Sequence, residues 1–171
     1  MNLVFDIETN GLLHDLTKIH CIGIHDLTAG ESYAFNDEGG EPITRGVTML
    51  EDACALIGHN IINYDIPALL CFYPFFEAKG QIVDTLLLSR LYHTNLLDID
   101  RKRKRVEMPE KLYGRHSLEA YGYRLGTYKG DFGKETDWKD WSQEMQDYMM
   151  QDVAVTTKLW KHFHRYLSSS N

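Results

Sequence analysis

The chain has 171 residues, 43% hydrophobic and 25% charged, a mix that fits one globular domain and excludes a disordered or low-complexity chain. Its formal net charge of −7 excludes a uniformly basic nucleic-acid coat, so any such contact must come from a local patch or through metal ions. Cys21, Cys54 and Cys71 form no CxxC pair and leave an odd count, which argues against a disulfide framework and for a reducing compartment.

In chain order, Leu3–Ile7 is apolar apart from Asp6 and predicts a buried first strand. Ile19–His25 alternates as a half-buried strand, and Glu31–Phe35 pairs with it through a turn at Thr28-Ala29-Gly30. Gly39-Gly40 and Pro42 mark a surface loop. Val47, Leu50, Ala53, Cys54 and Ile57 recur at helical spacing and predict a helix leading into a short strand near Ile57–His59. The apolar stretch Pro67 to Phe76 is about half of a membrane span. Another strand ends near Ile82-Val83, and Asp84 is placed to cap a following helix through Leu86, Leu87 and Leu91.

The second half reads as helical. Leu97 to Tyr113, polar and carrying the run Arg101-Lys102-Arg103-Lys104-Arg105, is expected as a long exposed loop. Ser117 caps a short helix that Gly126 ends, and a last helix runs from about Ser142 to Leu167. With no linker and no repeat, residues 1–171 are expected as a single α/β domain, a mixed central sheet flanked by helices. Acids at Asp6 and Glu8 exclude a signal peptide, so the chain is expected to be soluble and cytoplasmic, with no membrane association.

Three groups of residues carry chemistry. Asp6 and Glu8 stand at i and i+2 on the first strand, so both carboxylates face one side. Their repulsion calls for a cation, for which hard oxygen donors suit magnesium or manganese, unless both acids are solvated at the strand end. In His59-Asn60-Ile61-Ile62-Asn63-Tyr64-Asp65, the amides suit a turn and Asp65 is placed to cap the next helix. Tyr148 and Asp152 stand at i and i+4, neighbours on one helix face, where a phenol either orients a water held by the acid or simply packs.

Taken in order, Asp6/Glu8, Asn60 to Asp65 and Tyr148/Asp152 resemble the three exonuclease motifs of the DEDD superfamily, in its tyrosine-bearing DEDDy branch. The stretches Asp84 to Leu91 and Gly114 to Gly126 resemble the proofreading exonuclease domain of family A DNA polymerases from short-tailed bacteriophages, and the resemblance covers nearly the whole chain. It implies a ribonuclease-H-like exonuclease fold and hydrolysis of a 3′-terminal phosphodiester with two divalent ions, Mg²⁺ or Mn²⁺. Under it Asp6 bridges both ions, Glu8 and Asp152 complete the first, Asp65 holds the second, and Tyr148 orients the attacking water. Thr9, Leu12 and Asn60 match positions that contact the 3′-terminal nucleotides, with Leu12 wedged between bases. Asn60 and Asp65 stand one residue further apart than their counterparts in bacterial DNA polymerase I.

The expected substrate is a single-stranded or frayed DNA 3′ end, degraded to nucleoside monophosphates in proofreading for a polymerase domain or subunit. The chain is expected to be a monomer in the cytoplasm, the host's if it is viral, with Arg101, Lys102, Arg103, Lys104 and Arg105 steering phosphates. It carries no segment that reads as a polymerase palm, so degradation without extension is expected. An RNA-directed exonuclease of the same superfamily and a non-catalytic nucleic-acid-binding or docking module are the alternatives.

Overall fold

The computed structural model describes residues 1–127 and 137–168. Three strands, β1 (Asn2–Thr9), β2 (Ile19–Asp26) and β3 (Glu31–Phe35), form an antiparallel meander. After helix α1 (Ile43–Glu51) the chain crosses to β4 (Ala55–Gly58), parallel to β1, and after α2 (Asp65–Phe72) to β5 (Gln81–Asp84), parallel to β4. The sheet order β3-β2-β1-β4-β5 puts β1 at the centre. Helices α3 (Thr85–Tyr92), α4 (Leu96–Arg103), α5 (Leu118–Arg124) and α6 (Gln143–Ser168) follow.

Alternation along β1 divides the core between the two faces of the sheet. Leu3, Phe5 and Ile7 pack with Val47 and Leu50 of α1 and with Leu69 of α2. Val4, on the opposite face, packs with Ile57 and with Val153 of α6. The even positions of β1 therefore look toward α6, and Asp6 and Glu8 are even. The caps at Asp84 and Ser117 form as expected, accepting from the Leu86 and Ala120 amides. Gly126, at φ +66°, ends the last turn of α5.

Two expectations need correction. The helix before β4 ends at Glu51, so Ala53 and Cys54 lie in the connector and Ile57 in the strand. Buried positions of a helix and of the following strand ran together into one apparent period. The basic run is not a long loop: Arg101, Lys102 and Arg103 form the last turn of α4, and Lys104 closes it in the left-handed region at φ 39°. The helix was hidden because its inner face consists of Leu96 and a buried acid, Asp100, at i and i+4. Leu96 packs on Tyr121 and Phe163. Asp100 binds Arg124 at 2.7 Å, Arg105 at 3.2 Å and the Gly114 amide at 3.0 Å.

Candidate active site

β1 presents Asp6 and Glu8, and α6 presents Asp152 one turn beyond Tyr148, all four half-buried. Oxygens of Asp6, Glu8 and Asp152 lie within 4.8 Å of one another. In the sheet register Asp6 stands opposite Gly23 of β2. A Cβ at Gly23 would come within 2.9 to 3.1 Å of Met150, Met149 and Val153 of α6. Glycine at this position thus lets α6 lie close on the sheet and brings Asp152 to the β1 acids. The sequence reading missed Gly23; its only signal was a glycine inside an otherwise apolar strand.

Asp65 approaches from α2. It opens the helix without capping it, since Oδ1 accepts from the Ile7 amide at 3.1 Å. That bond ties the start of α2 to β1 between the two acids. Asp65 is buried and lies outside the close triad, yet its charge acts on both Asp6 and Glu8.

The electrostatics are strained throughout. Burial, then the charges of Asp65, Glu8 and Asp152, push Asp6 well above the usual carboxylate range. Glu8 is pushed up to about 8 by burial and by the charges of Asp152 and Asp65. Burial raises Asp65 and Asp152 to about 7 each. Among the described residues no Lys or Arg forms an ion pair with any of these four acids. A cluster of oxygen donors that repel one another and have no protein cation fits a hard divalent ion such as Mg²⁺ or Mn²⁺. The same surroundings, burial first and then Asp152, Glu8 and Asp6, push the Tyr148 phenol up, so it keeps its proton at neutral pH.

A groove of about 440 Å³ opens beside the acids, lined by Glu8, Thr9, Leu12, Tyr64 and Trp138 among others. Leu12 stands 62% exposed at its rim. Thr9 is buried, and its hydroxyl bonds the Tyr64 hydroxyl, which donates to the Gly11 carbonyl at 2.5 Å. Thr9 therefore fixes the turn that carries Leu12. Asn60 does not line this groove. Its backbone takes φ 66°, its amide donates to Asp84 at 2.9 Å, and its side chain accepts from Asn63 at 3.3 Å. The basic run lines a different groove.

Trp138 is the second residue missed. Its ring meets Tyr148 edge-on with centroids 6.3 Å apart, and its carbonyl is bonded to buried His20 of β2 at 2.8 Å. Nothing in a Trp outside any periodic segment signals such a contact.

No family model matches the chain. The "DNA-directed DNA polymerase" of Enterobacteria phage T3 is 36% identical over 180 aligned positions, covering 92% of this chain. That of Escherichia phage T7 is 37% identical over 185, again covering 92%. The chain spans about a quarter (26%) of the length of each. Among solved structures, the "apo form of the nuclease" superposes with a TM-score of 0.63 at 20% identity, over 96% of this chain and 74% of its own. The EXO domain of Nibbler from Aedes aegypti superposes with a TM-score of 0.65 at 12% identity, over 97% of this chain and 78% of its own. The fold is thus the ribonuclease-H-like α/β fold of nuclease domains, and the chain is homologous to a segment of phage DNA polymerases.

Proposed function

We propose that this chain is a DEDDy 3′→5′ exonuclease, a proofreading module that removes the terminal nucleotide from single-stranded or frayed DNA as a nucleoside monophosphate. The observation that carries it is the convergence of Asp6, Glu8 and Asp152 within 4.8 Å of one another, with the Tyr148 phenol one helical turn from Asp152. Kinship to DNA polymerases supports DNA as substrate and a polymerase segment as partner. The chain acts as one copy in a reducing cytoplasm, where Cys21, Cys54 and Cys71 stay free. Among the described residues no helix is long and apolar enough to cross a membrane.

Each residue has a task. Asp6 would be the ligand shared by two divalent ions, Glu8 and Asp152 would complete one site, and Asp65 would serve the other. When bound, the ions offset the carboxylate charge and polarise the scissile phosphodiester. Tyr148 orients the attacking water with a hydroxyl that stays protonated, and Trp138 holds the phenol in place. Water adds at phosphorus, the 3′ oxygen of the penultimate nucleotide leaves, and the terminal nucleotide departs with its 5′ phosphate. Leu12 wedges between the last two bases, on a turn anchored by Thr9 and Tyr64.

The test is a 5′-labelled DNA oligonucleotide and its RNA counterpart, incubated with Mg²⁺, Mn²⁺ or chelator. A ladder shortening from the 3′ end of the DNA with metal, absent in chelator, is the expected result. An intact DNA strand under every metal condition overturns the assignment, and preferential loss of the RNA transfers it to ribonucleotide substrates.

A further inference from the structure

A second groove, about 580 Å³, lies at the C-terminal end of α4. Residues 96–115 carry seven Lys and Arg against four Asp and Glu, in a chain whose net charge is −7. The cations are interleaved with apolar and aromatic side chains: Arg101 and Lys104 line the groove beside Leu97, Val106 and Tyr113, with Glu110 the one acid among the described residues of its lining. Val106 is fully exposed and Leu97 41% exposed.

The groove is built rather than incidental. Asp100, withdrawn from water, clamps Arg105, Arg124 and the Gly114 amide, and so fixes the chain on both sides of the basic run. Arg105 is thereby engaged inside the protein. Among the described residues neither Arg101 nor Lys104 forms an ion pair, so their charge faces outward.

Its place in the fold links it to the carboxylates. Met108, which also lines the groove, packs with Leu112 and with Ala120 of α5. The neighbour of Ala120, Glu119, lies near enough to the active site for its charge to act on Tyr148. Helix α5 thus meets the groove's lining at Ala120 and comes within electrostatic reach of the phenol at Glu119.

We propose that this groove is a second nucleic-acid site, which holds the sugar–phosphate backbone of a single strand on the 5′ side of the terminal nucleotide, with Arg101 and Lys104 on phosphates and Tyr113 against a base. Alternating cations and apolar surface match a strand of alternating phosphates and bases. An acidic protein partner would use the cations and leave Tyr113 and Val106 without a role. The polarity of the strand rests on the exonuclease reading; the existence of the site does not.

Binding of labelled oligothymidylates of 4 and 16 nucleotides, measured by fluorescence anisotropy in chelator, tests the site without cleavage. The longer strand is expected to bind at least about tenfold more tightly. In Arg101→Ala/Lys104→Ala that advantage collapses, and the salt dependence for the longer strand falls by about 1.4 in log–log slope, roughly 0.7 for each phosphate left without its cation. Lys158→Ala/Lys161→Ala, which removes the same charge from exposed positions on α6, keeps the advantage. Tyr113→Ala weakens the longer strand by roughly 5- to 150-fold, the range for one stacked base, with the salt slope unchanged. Circular dichroism confirms that each variant is folded. Equal affinity of the two lengths for the unaltered chain, or an advantage that survives in Arg101→Ala/Lys104→Ala, overturns the proposal. So does displacement of the longer strand by polyglutamate at equal charge concentration, which assigns the groove to an acidic protein. A length advantage without any hydrolysis counts against the nuclease alone.

Discussion

Asp100 and the Asp6–Glu8–Asp152 cluster place carboxylates away from bulk water within one small domain, and the surrounding protein treats them in opposite ways. Burial would raise Asp100 too, but hydrogen bonds from Arg124 and Gly114 and the charges of Arg124 and Arg105 outweigh it and hold the carboxyl below its usual range. In the cluster nothing outweighs burial: the neighbours are more acids, and Glu8 rises to about 8. A buried acid supplied with its own cations is a structural tie. Half-buried acids without them leave a charge deficit, and the fold keeps that deficit open to the solvent cleft. The pair of centres separates what holds this molecule together from what it holds for a ligand.

The sharpest way to break that comparison is to delete one carboxylate from each side. Asp6→Ala removes the ligand assigned to both ions, so nucleotide release should fall by roughly a thousandfold or more, with melting temperature kept or raised. Asp100→Ala should do the reverse. Breaking a buried pair leaves Arg124 without its carboxylate and costs about 3–5 kcal/mol of stability, read as a lower denaturant midpoint. Residual activity per folded molecule should remain. If Asp6→Ala cleaves at the original rate, or Asp100→Ala melts like the parent, the division of roles fails.

The two centres also differed in how far the sequence revealed them. Asp6 and Glu8 were legible because period two in a strand needs only local spacing, and Tyr148 and Asp152 because i and i+4 share a helix face. Asp84 and Ser117 were legible as caps for the same local reason. Asp100 was not, since its partner Arg124 stands 24 positions away and a polar stretch hides an amphipathic helix whose inner face is one Leu and one acid. Gly23 and Trp138 escaped similarly: one matters through the side chain it lacks, the other through a contact with His20 across 118 positions. Asn60 was legible as a turn amide: its positive φ and its bonds to Asp84 and Asn63 form that turn.

A milder perturbation sharpens the catalytic side. Tyr148→Phe keeps the edge-on packing with Trp138 and removes only the hydroxyl, so turnover should fall by roughly ten- to a thousandfold, as for a positioning group. Strand affinity in chelator should hardly change. A fully active Phe variant would make Tyr148 a packing residue and require another group to orient the water.

The smallest effect is also the one that tests the charge deficit directly. In chelator, the folded chain holds protons on Glu8 to about pH 8 and on Asp65 and Asp152 to about pH 7, whereas the unfolded chain releases them at the usual 4.5 and 3.8. Between those limits the folded state binds more protons, so stability falls as pH rises. This contribution is complete below about pH 4 and lost as pH passes 7 to 8, opposite in sign to that of Asp100, which is lost in acid. The melting temperature without metal should therefore drop from pH 5 to pH 8.5, and Mg²⁺ should restore it most at the alkaline end. Asp152→Asn takes away one of the titrating acids and one charge acting on Glu8, so it should stabilise the metal-free chain at pH 8 by about 1–3 kcal/mol and flatten the slope. A melting temperature independent of pH in both proteins would mean that the acids ionise freely in the cleft, with solvent rather than a ligand balancing them.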